Sequence, residues 1–381
     1  MDKKPKLHIF LGAGGVGKTT LSASFSLYLA SIGRKVGLLS IDPAKRLRTA
    51  LNFDNISEKG SLFWKNDENG GEIRVAILNL PDSLKRWIQD EGLTIEHQKQ
   101  LFEHPLYQTL AEKIASAVET LAPIRMAEWI EQYPETEDLV IDTAPGIHAI
   151  DFILRPERLL AFFDSKILQW IKWFGGEEKY IWVNGKKQVI SEKNFFQKLL
   201  RMSAKSILSA LGKAGGENIL LSLAELILLM DQIFYKMVNR LQEARDWIKN
   251  ENTSVYFVFS SREDSVAIVL EIYQILQTLF KHKSFFIFNQ TIPELLYQSQ
   301  EWKDFISQNE VQNKIDILLR TYLENYPKIK QSIYEKLHEN SIEKQTIIEV
   351  PLWSSIETQD NLKIKDLIQL GSLMKPSIFL Y

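Results

Sequence analysis

Short, continuous apolar runs alternate with segments of helical length along most of the chain. The run from Lys6 to Gly12 predicts a buried strand, and Lys18 to Ile32 predicts a helix that Gly33 ends. Lys35 to Asp42 predicts a second buried strand. A strand, a helix and a strand with short connections indicate parallel strands joined by a right-handed crossover.

Further apolar runs predict more strands of the same buried kind. They lie at Glu72–Asn79, Asp138–Ala144, Ser254–Ser261, Ser284–Gln290 and Thr346–Leu352. Strands that are apolar throughout are typical of parallel sheets that helices cover on both faces. The pattern therefore predicts an α/β fold with a doubly wound, mostly parallel sheet.

Two mostly helical segments interrupt the alternation of strands and helices, and we predict that together they form a helical insertion subdomain. The subdomain comprises residues 81–135 and 159–250, and the sheet-containing core comprises residues 1–80, 136–158 and 251–381. Within the subdomain, Asn184-Gly185 between two short apolar runs predicts a type I′ β-hairpin. Residues 196–247 carry two helix-length segments with thick apolar faces, which form either an ordinary buried core or a groove for an apolar client helix.

Composition narrows the classes of function. Of the 381 residues, 45% are hydrophobic, which is ample for a packed core, and the net charge of −2 gives no sign of nucleic-acid binding. The chain has no cysteine, so disulfides, Cys-ligated zinc and thiol catalysis are excluded. The apolar run after the basic N-terminus is too short for a signal sequence, and no run reaches the roughly 18 apolar residues of a membrane span. We expect a soluble, cytoplasmic protein.

The loop between the first strand and the first helix fits the pattern G-x-x-x-x-G-K-[ST]. Backbone N–H groups of such a loop surround a β-phosphate, and the helix dipole adds to the attraction. The lysine neutralises β- and γ-phosphate charge, and the threonine hydroxyl binds Mg²⁺. The candidate nucleotide-binding residues here are Gly14, Gly15, Val16, Gly17, Lys18, Thr19 and Thr20.

The same glycines also fit G-x-G-x-x-G, the dinucleotide-binding pattern, through Gly12, Gly14 and Gly17. Asp42 then ends the second strand, where such a fold places its ribose ligand. We favour a P-loop that binds ATP, because a dinucleotide site needs no lysine at position 18. The dinucleotide interpretation stays open as the alternative.

Two acids end predicted core strands, which is the edge where open α/β sheets bind ligands. Asp42 begins Asp-Pro-Ala-Lys, and Asp142 begins Asp-Thr-Ala-Pro-Gly-Ile-His. A carboxylate near a γ-phosphate holds Mg²⁺ or orients the attacking water. The structural alternative is an aspartate that caps the following turn.

Together these segments resemble the ArsA family of P-loop ATPases, which includes arsenite-pump ATPases and the ATPase that targets tail-anchored membrane proteins. The family's phosphate loop and its two switch segments correspond to Gly12–Thr20, Asp42–Lys45 and Asp142–His148. Asn289 matches the family's adenine-reading asparagine, and Pro351 lies in a run that is similar to its last core strand. The resemblance covers roughly residues 6 to 365.

This resemblance implies a SIMIBI-type P-loop NTPase that binds ATP or ADP with Mg²⁺. Asp42 would position the hydrolytic water, and Thr19, Asp42 and Asp142 would surround the metal ion. The implied function is a Mg²⁺-dependent ATPase that couples its nucleotide state to a client or membrane-partner protein. Its implied partners are an apolar client helix and a second subunit in a homo- or heterodimer.

The chain departs from the family pattern at several positions. A signature lysine that reaches across the dimer is replaced by Ala13, which carries no charge. The alternative function is therefore a nucleotide-bound switch with little or no hydrolysis. Another hypothesis is that Lys45, which stands where histidine is usual, supplies the charge from the same chain. Arg262-Glu263 replaces a Pro-Glu pair, and the zinc-binding and arsenite-binding cysteines are missing.

Overall fold

A computed structural model gives the architecture of the chain. It describes residues 4–41, 46–78, 88–89, 94–107, 118–146, 148–163, 180–183, 186–189, 222, 225–227, 229–307, 314–352 and 363–375. Asp42–Lys45, the Asn184-Gly185 turn and the stretch from 196 to 221 lie outside these residues. The predictions made for them stay predictions.

Eight strands form one sheet in the spatial order β10-β9-β8-β1-β5-β2-β4-β3. These strands are β1 (Lys6–Gly12), β2 (Lys35–Ser40), β3 (Ser61–Lys65), β4 (Glu72–Ile77), β5 (Asp138–Asp142), β8 (Ser254–Phe259), β9 (Lys283–Thr291) and β10 (Ile347–Pro351). All neighbours pair in parallel except β3, which runs antiparallel to β4 at the edge. Two further strands, β6 (Tyr180–Val183) and β7 (Lys186–Val189), pair antiparallel in a separate ribbon.

Helices lie between most of the strands and after the last one. They are α1 (Lys18–Ser31), α2 (Arg46–Leu51), α3 (Ile95–Glu103), α4 (Val118–Gln132), α5 (His148–Phe163), α6 (Asp231–Ile248), α7 (Glu263–Leu279), α8 (Glu294–Tyr297), α9 (Gln300–Ser307), α10 (Lys314–Glu339) and α11 (Ile364–Ser372). None of these helices is long and apolar enough to span a bilayer.

The doubly wound, mostly parallel α/β sheet predicted from the apolar runs is confirmed. Each predicted core strand is present, and most end within about two residues of the predicted limits. The pairing of β6 with β7 confirms the ribbon predicted around Asn184-Gly185. The edge strand β3 was missed, because Ser-Leu-Phe-Trp-Lys is short and only partly buried.

The chain divides into two compact units. The first comprises Met1–Ile77, Tyr133–Ile150 and Lys249–Tyr381, and the second comprises Leu78–Gln132 and Asp151–Ile248. The first unit holds the eight-stranded sheet. In the second unit, Arg240 of α6 forms ion pairs with Glu128 and Glu131 of α4, at 3.3 and 2.9 Å.

The helix α1 is buried on almost every side. Its aliphatic and phenylalanine side chains and also Ser22, Ser24 and Ser26 lie at 0 to 1% exposure, and Tyr28 is half-buried. The Ser26 hydroxyl donates to the Ser22 carbonyl at 2.7 Å, so its polar group is satisfied inside the helix. The helix packs between the sheet and α11, which explains why its sequence has no polar face.

A buried polar network joins the central strands at the end of the sheet opposite the candidate loop. His8 of β1 places Nε2 3.0 Å from the Asp138 carboxylate of β5 and Nδ1 3.2 Å from the Tyr256 hydroxyl of β8. Arg34 donates to the other Asp138 oxygen. Burial disfavours the charged carboxylate, but the hydrogen bonds and electrostatic attraction of His8 and Arg34 outweigh it, so the pKa of Asp138 lies below its usual value.

We expect the substitution Asp138→Asn to lower the free energy of unfolding by about 3 kcal/mol at pH 7, because it removes the negative charge that His8 and Arg34 contact. A lowered folded-state pKa gives stability that is present above the unfolded-state value, near 4, and is lost as pH falls through the folded value. The difference between wild type and variant should therefore shrink below about pH 4. Urea unfolding curves between pH 3 and 7 measure it.

The matched control is Asp67→Asn, which removes an exposed aspartate paired with Lys65 at 3.3 Å. Exposed pairs contribute little, so this variant should unfold like wild type. Equal losses at positions 67 and 138, or a loss at 138 that persists undiminished at pH 3, would contradict the assignment.

Candidate nucleotide-binding site

The glycines of the loop between β1 and α1 are required by their neighbours. Gly12 pairs in register with Val258 of β8, and a Cβ on Gly12 would lie 2.1 Å from the Val258 carbonyl oxygen. Gly17 has a φ of +91°, and a Cβ there would lie 2.4 Å from Nδ2 of Asn289. A side chain at either position would collide, so the backbone itself lines the loop.

The amino end of α1 is open to an anion. Gly17 caps the helix without a side-chain hydrogen bond, and the first turn contains no acidic residue. The first N–H groups of a helix have no partner within it, and the helix dipole makes that end positive. These two properties together favour a phosphate group at this position.

Lys18 places its terminal nitrogen inside the loop. The residue is only 5% exposed, and Nζ donates to the carbonyl oxygens of Gly12 at 3.0 Å and Ala13 at 2.8 Å. A buried ammonium is held in place by such bonds and has little freedom to leave for solvent. Ala13 is itself 1% exposed, so its methyl group is shielded from solvent.

The segment that follows β5 lies against this loop. Asp142 is fully buried, and its Oδ2 accepts a hydrogen bond from the Ser40 hydroxyl of β2 at 3.0 Å. The Thr143 hydroxyl donates to the Phe10 carbonyl at 2.6 Å, and the Gly146 N–H donates to the Gly12 carbonyl at 2.9 Å. A displacement of residues 142–146 therefore changes contacts of the loop directly.

Asn289 of β9 also contacts the loop. Its Nδ2 donates to the Val16 carbonyl at 2.8 Å, and the residue is 9% exposed. Pro351 ends β10, the next strand outward, where Leu352 N–H donates to the Thr291 carbonyl at 2.8 Å. The structure thus brings Asn289 to the loop and leaves Pro351 one strand further along.

Arg262 reaches the loop from the turn between β8 and α7. Its Nη2 donates to the Gly14 carbonyl oxygen at 3.0 Å. The sequence predicts no role for position 262 beyond its departure from the family pattern. A basic residue shortly after a core strand that adjoins β1 is the signal that could have identified it.

Two oxygen donors of the site suit a magnesium ion, which takes hard oxygen ligands and keeps several waters and phosphate oxygens. They are the hydroxyl of Thr19, a residue that is 9% exposed, and the carboxylate of Asp142. No group of three or more histidines, aspartates or glutamates with metal-binding geometry occurs among the residues that the structure describes. A donor set of this size fits an ion that a nucleotide helps to hold, rather than a cage made by protein alone.

Three predicted positions carry less structural information. Asp42 lies outside the described residues, which stop at Ile41 and resume at Arg46. His148 begins α5, but its side chain is outside the description. Thr20 lies in the first turn of α1 and is partly buried. The roles assigned to Asp42 and Thr20 stay predictions.

Several known proteins are similar in sequence to part of this chain. An arsenical pump-driving ATPase 2 assigned in Aquifex aeolicus is 30% identical over 43% of this chain and 53% of its own length. The ATPase GET3 of Malassezia globosa is 28% identical over 51% of this chain and 60% of its own length. The arsenical pump-driving ATPase of Acidiphilium multivorum is 32% identical over 38% of this chain and 22% of its own. The chain thus matches less than two thirds of the length of each.

A family model matches far more of the sequence. The model of the anion-transporting ATPases, named for ArsA, covers residues 6–339, which include the phosphate loop, Asp142 and Asn289. This match agrees with the eight-stranded sheet, because the family has the α/β fold of P-loop NTPases. The chain is therefore a member of the ArsA family of anion-transporting ATPases.

Proposed function

We propose that this chain binds ATP in the Gly12–Thr19 loop and hydrolyses it. The observation that carries the proposal is the loop itself: Lys18 is buried against its carbonyls, and the amino end of α1 is uncapped by any side chain. Loop N–H groups would hold the β-phosphate, and Lys18 would neutralise the charge of the outer phosphates. Asn289, which already contacts Val16, would read the adenine base.

Magnesium would be held by the Thr19 hydroxyl and, directly or through water, by the Asp142 carboxylate. When bound, the ion would neutralise charge on the phosphate oxygens. Ser40 supports this arrangement, because its hydrogen bond orients the Asp142 carboxylate. A Mg²⁺ site of this kind needs few protein ligands, which agrees with the two donors found here.

The proposed reaction is the transfer of the terminal phosphoryl group to water. The water oxygen forms a bond to the γ-phosphorus, and the bond from that phosphorus to the bridging oxygen breaks. The bridging oxygen keeps the electron pair as part of ADP. One water proton stays on the attacking oxygen, and the other passes to another oxygen of the orthophosphate. Asp42 would orient the water, as the resemblance to the family implies.

We also propose that the nucleotide state is passed to a client or membrane-partner protein in the cytoplasm. Support comes from the contact between Gly146 and Gly12, since a segment that touches the loop can change position when the outer phosphate is lost. Relatives assigned as pump-driving ATPases are consistent with a partner of this kind. The absence of cysteine argues against an arsenite site built from thiolates. An apolar client helix and a homo- or heterodimer complete the proposal.

A second candidate function is a nucleotide-bound switch with little hydrolysis. Ala13 favours it, because a methyl group offers no charge to the phosphates where the resembled ATPases have lysine. ATP or ADP would then act as a ligand that selects one conformation, with turnover near the background rate.

We expect Asp42→Asn to lower the steady-state rate of ATP hydrolysis at least about 100-fold while ATP binding is kept, because the change removes the carboxylate that orients the attacking water and leaves the loop intact. Lys18→Ala should weaken ATP binding itself. A phosphate-release assay and equilibrium dialysis measure the two quantities. Asp54→Asn, an exposed aspartate, is the matched control and should behave like wild type. Unchanged turnover in Asp42→Asn would refute the assignment of Asp42.

Ala13→Lys separates the two candidate functions. If wild type is a slow switch, the added ammonium should raise the turnover at least about 10-fold, because it restores charge stabilisation at the phosphates. If wild type already hydrolyses ATP at several turnovers per minute, the change should leave the rate within a factor of about three. The same phosphate-release assay gives both results. A wild-type rate at background that Ala13→Lys also leaves there would count against the ATPase proposal.

A further inference from the structure

Arg262 is held at a fixed position on the protein backbone. It is the last residue before α7, and its carbonyl accepts a hydrogen bond from the Ser265 hydroxyl at 2.7 Å. The Ser260 N–H donates to the Ser265 oxygen at 3.1 Å, which closes the turn after β8. Ser260 and Ser265 are both buried, at 4% and 0% exposure. These hydrogen bonds therefore fix the backbone from which the Arg262 side chain extends.

The guanidinium of Arg262 lies on the outer part of the phosphate loop. Nη2 is 3.0 Å from the Gly14 carbonyl oxygen, and Nη1 is 3.7 Å from the position that a Cβ on Gly15 would take. The side chain is 51% exposed, so it borders both the loop and solvent. A planar group with five N–H donors keeps further donors available beside these glycines.

The Arg262 guanidinium forms an exposed ion pair with Asp264. Asp264 accepts from Nε at 3.2 Å and from Nη2 at 3.3 Å, and both lengths are long for a charged pair. Glu263 pairs instead with Lys336 of α10 at 2.6 Å, and the hydrogen bond to Lys336 holds the pKa of Glu263 below its usual value. A guanidinium whose partners are a neutral carbonyl and one exposed carboxylate can exchange them for a more highly charged group.

We propose that Arg262 binds the terminal phosphate of ATP, and that its guanidinium moves there from the Gly14 carbonyl and the Asp264 carboxylate. The inference rests on the proposed binding of ATP in this loop. The N–H groups that surround the β-phosphate come from the later part of such a loop, so the terminal phosphate lies towards its outer part, beside Gly14. An arginine supplied by the same chain at that place stabilises charge on the transferred phosphoryl group.

This role makes Arg262 a specificity residue as well as a catalytic one. ADP has no terminal phosphate, so with ADP bound the guanidinium keeps its bonds to Gly14 and Asp264. Only ATP gains the charge-assisted hydrogen bonds from Arg262. The ratio of the ATP and ADP affinities therefore reports the contact, whereas a merely structural role of Arg262 in the turn would affect both nucleotides alike.

Isothermal titration of the full chain with Mg²⁺ and either ADP or a non-hydrolysable ATP analogue tests the proposal. Arg262→Ala should weaken binding of the ATP analogue by about 10- to 100-fold, the usual effect of losing a charge-assisted bond to phosphate. ADP affinity should change by less than a factor of about three. Arg262→Lys, which retains the charge without the planar fork, should recover part of the loss.

The matched control is Lys65→Ala. Lys65 has the same 51% side-chain exposure as Arg262 and also pairs with an aspartate two residues further along the chain, but it lies on the edge strand β3. This variant removes one positive charge and should leave both affinities unchanged. Asp264→Asn releases Arg262 from its carboxylate, so it should tighten binding of the ATP analogue by about two- to tenfold and leave ADP binding unchanged.

The outcomes separate the two claims. If wild type binds neither nucleotide, the proposed function is wrong, and the assignment of Arg262 is wrong with it. If wild type binds both, and Arg262→Ala weakens both equally or neither, nucleotide binding stands and the role of Arg262 is overturned. A thermal melt of each variant identifies any loss of affinity that comes from unfolding. If Arg262→Ala is unfolded, Arg262→Lys and Asp264→Asn decide. The role of Arg262 is then overturned if both variants keep the wild-type ratio of ATP-analogue affinity to ADP affinity.

Discussion

The site depends on the close approach of backbone atoms at the carboxyl end of β1. Gly12 is paired in register with Val258 on one side, and its carbonyl accepts the Gly146 N–H from the segment after β5. Asn289 then holds the Val16 carbonyl from β9. Because neighbouring segments fix the loop in this way, its N–H groups can point at a ligand without a large cost of ordering when the ligand binds.

The opposite end of the same strands supports this arrangement. His8, Asp138 and Tyr256 join β1, β5 and β8 through a network of buried hydrogen bonds. A one-residue slip between these strands would separate the partners and leave a buried carboxylate without them, which is costly. The network thus helps to set the register that pairs Gly12 with Val258 and Phe10 with Asp142 towards the ligand-binding edge. It also explains why a polar set persists in an otherwise apolar core.

Much of the fold and of the candidate site is predictable from the sequence, for physical reasons. The sheet is predictable from its continuous apolar strands. The loop is predictable from Gly12 and Gly17 together with Lys18 at the start of a helix, because few other structures need this combination. The edge strand β3 was not predictable in the same way, since a short, half-exposed strand lacks a continuous apolar run. The contact of Arg262 with Gly14 was not predictable, because it depends on a turn that Ser260 and Ser265 fix. The local sequence does not show that a side chain after β8 reaches the loop after β1.

Hydrogen exchange measured by mass spectrometry on the wild-type chain tests the central claim that the backbone of this loop binds nucleoside phosphates. Peptides covering residues 13–20 should become protected when ADP or ATP is added with Mg²⁺, because the loop N–H groups then donate to phosphate oxygens. NAD should give no such protection. Protection of this segment by NAD and not by ADP would contradict the account in favour of a dinucleotide site, and an absence of protection with every nucleotide would contradict it altogether.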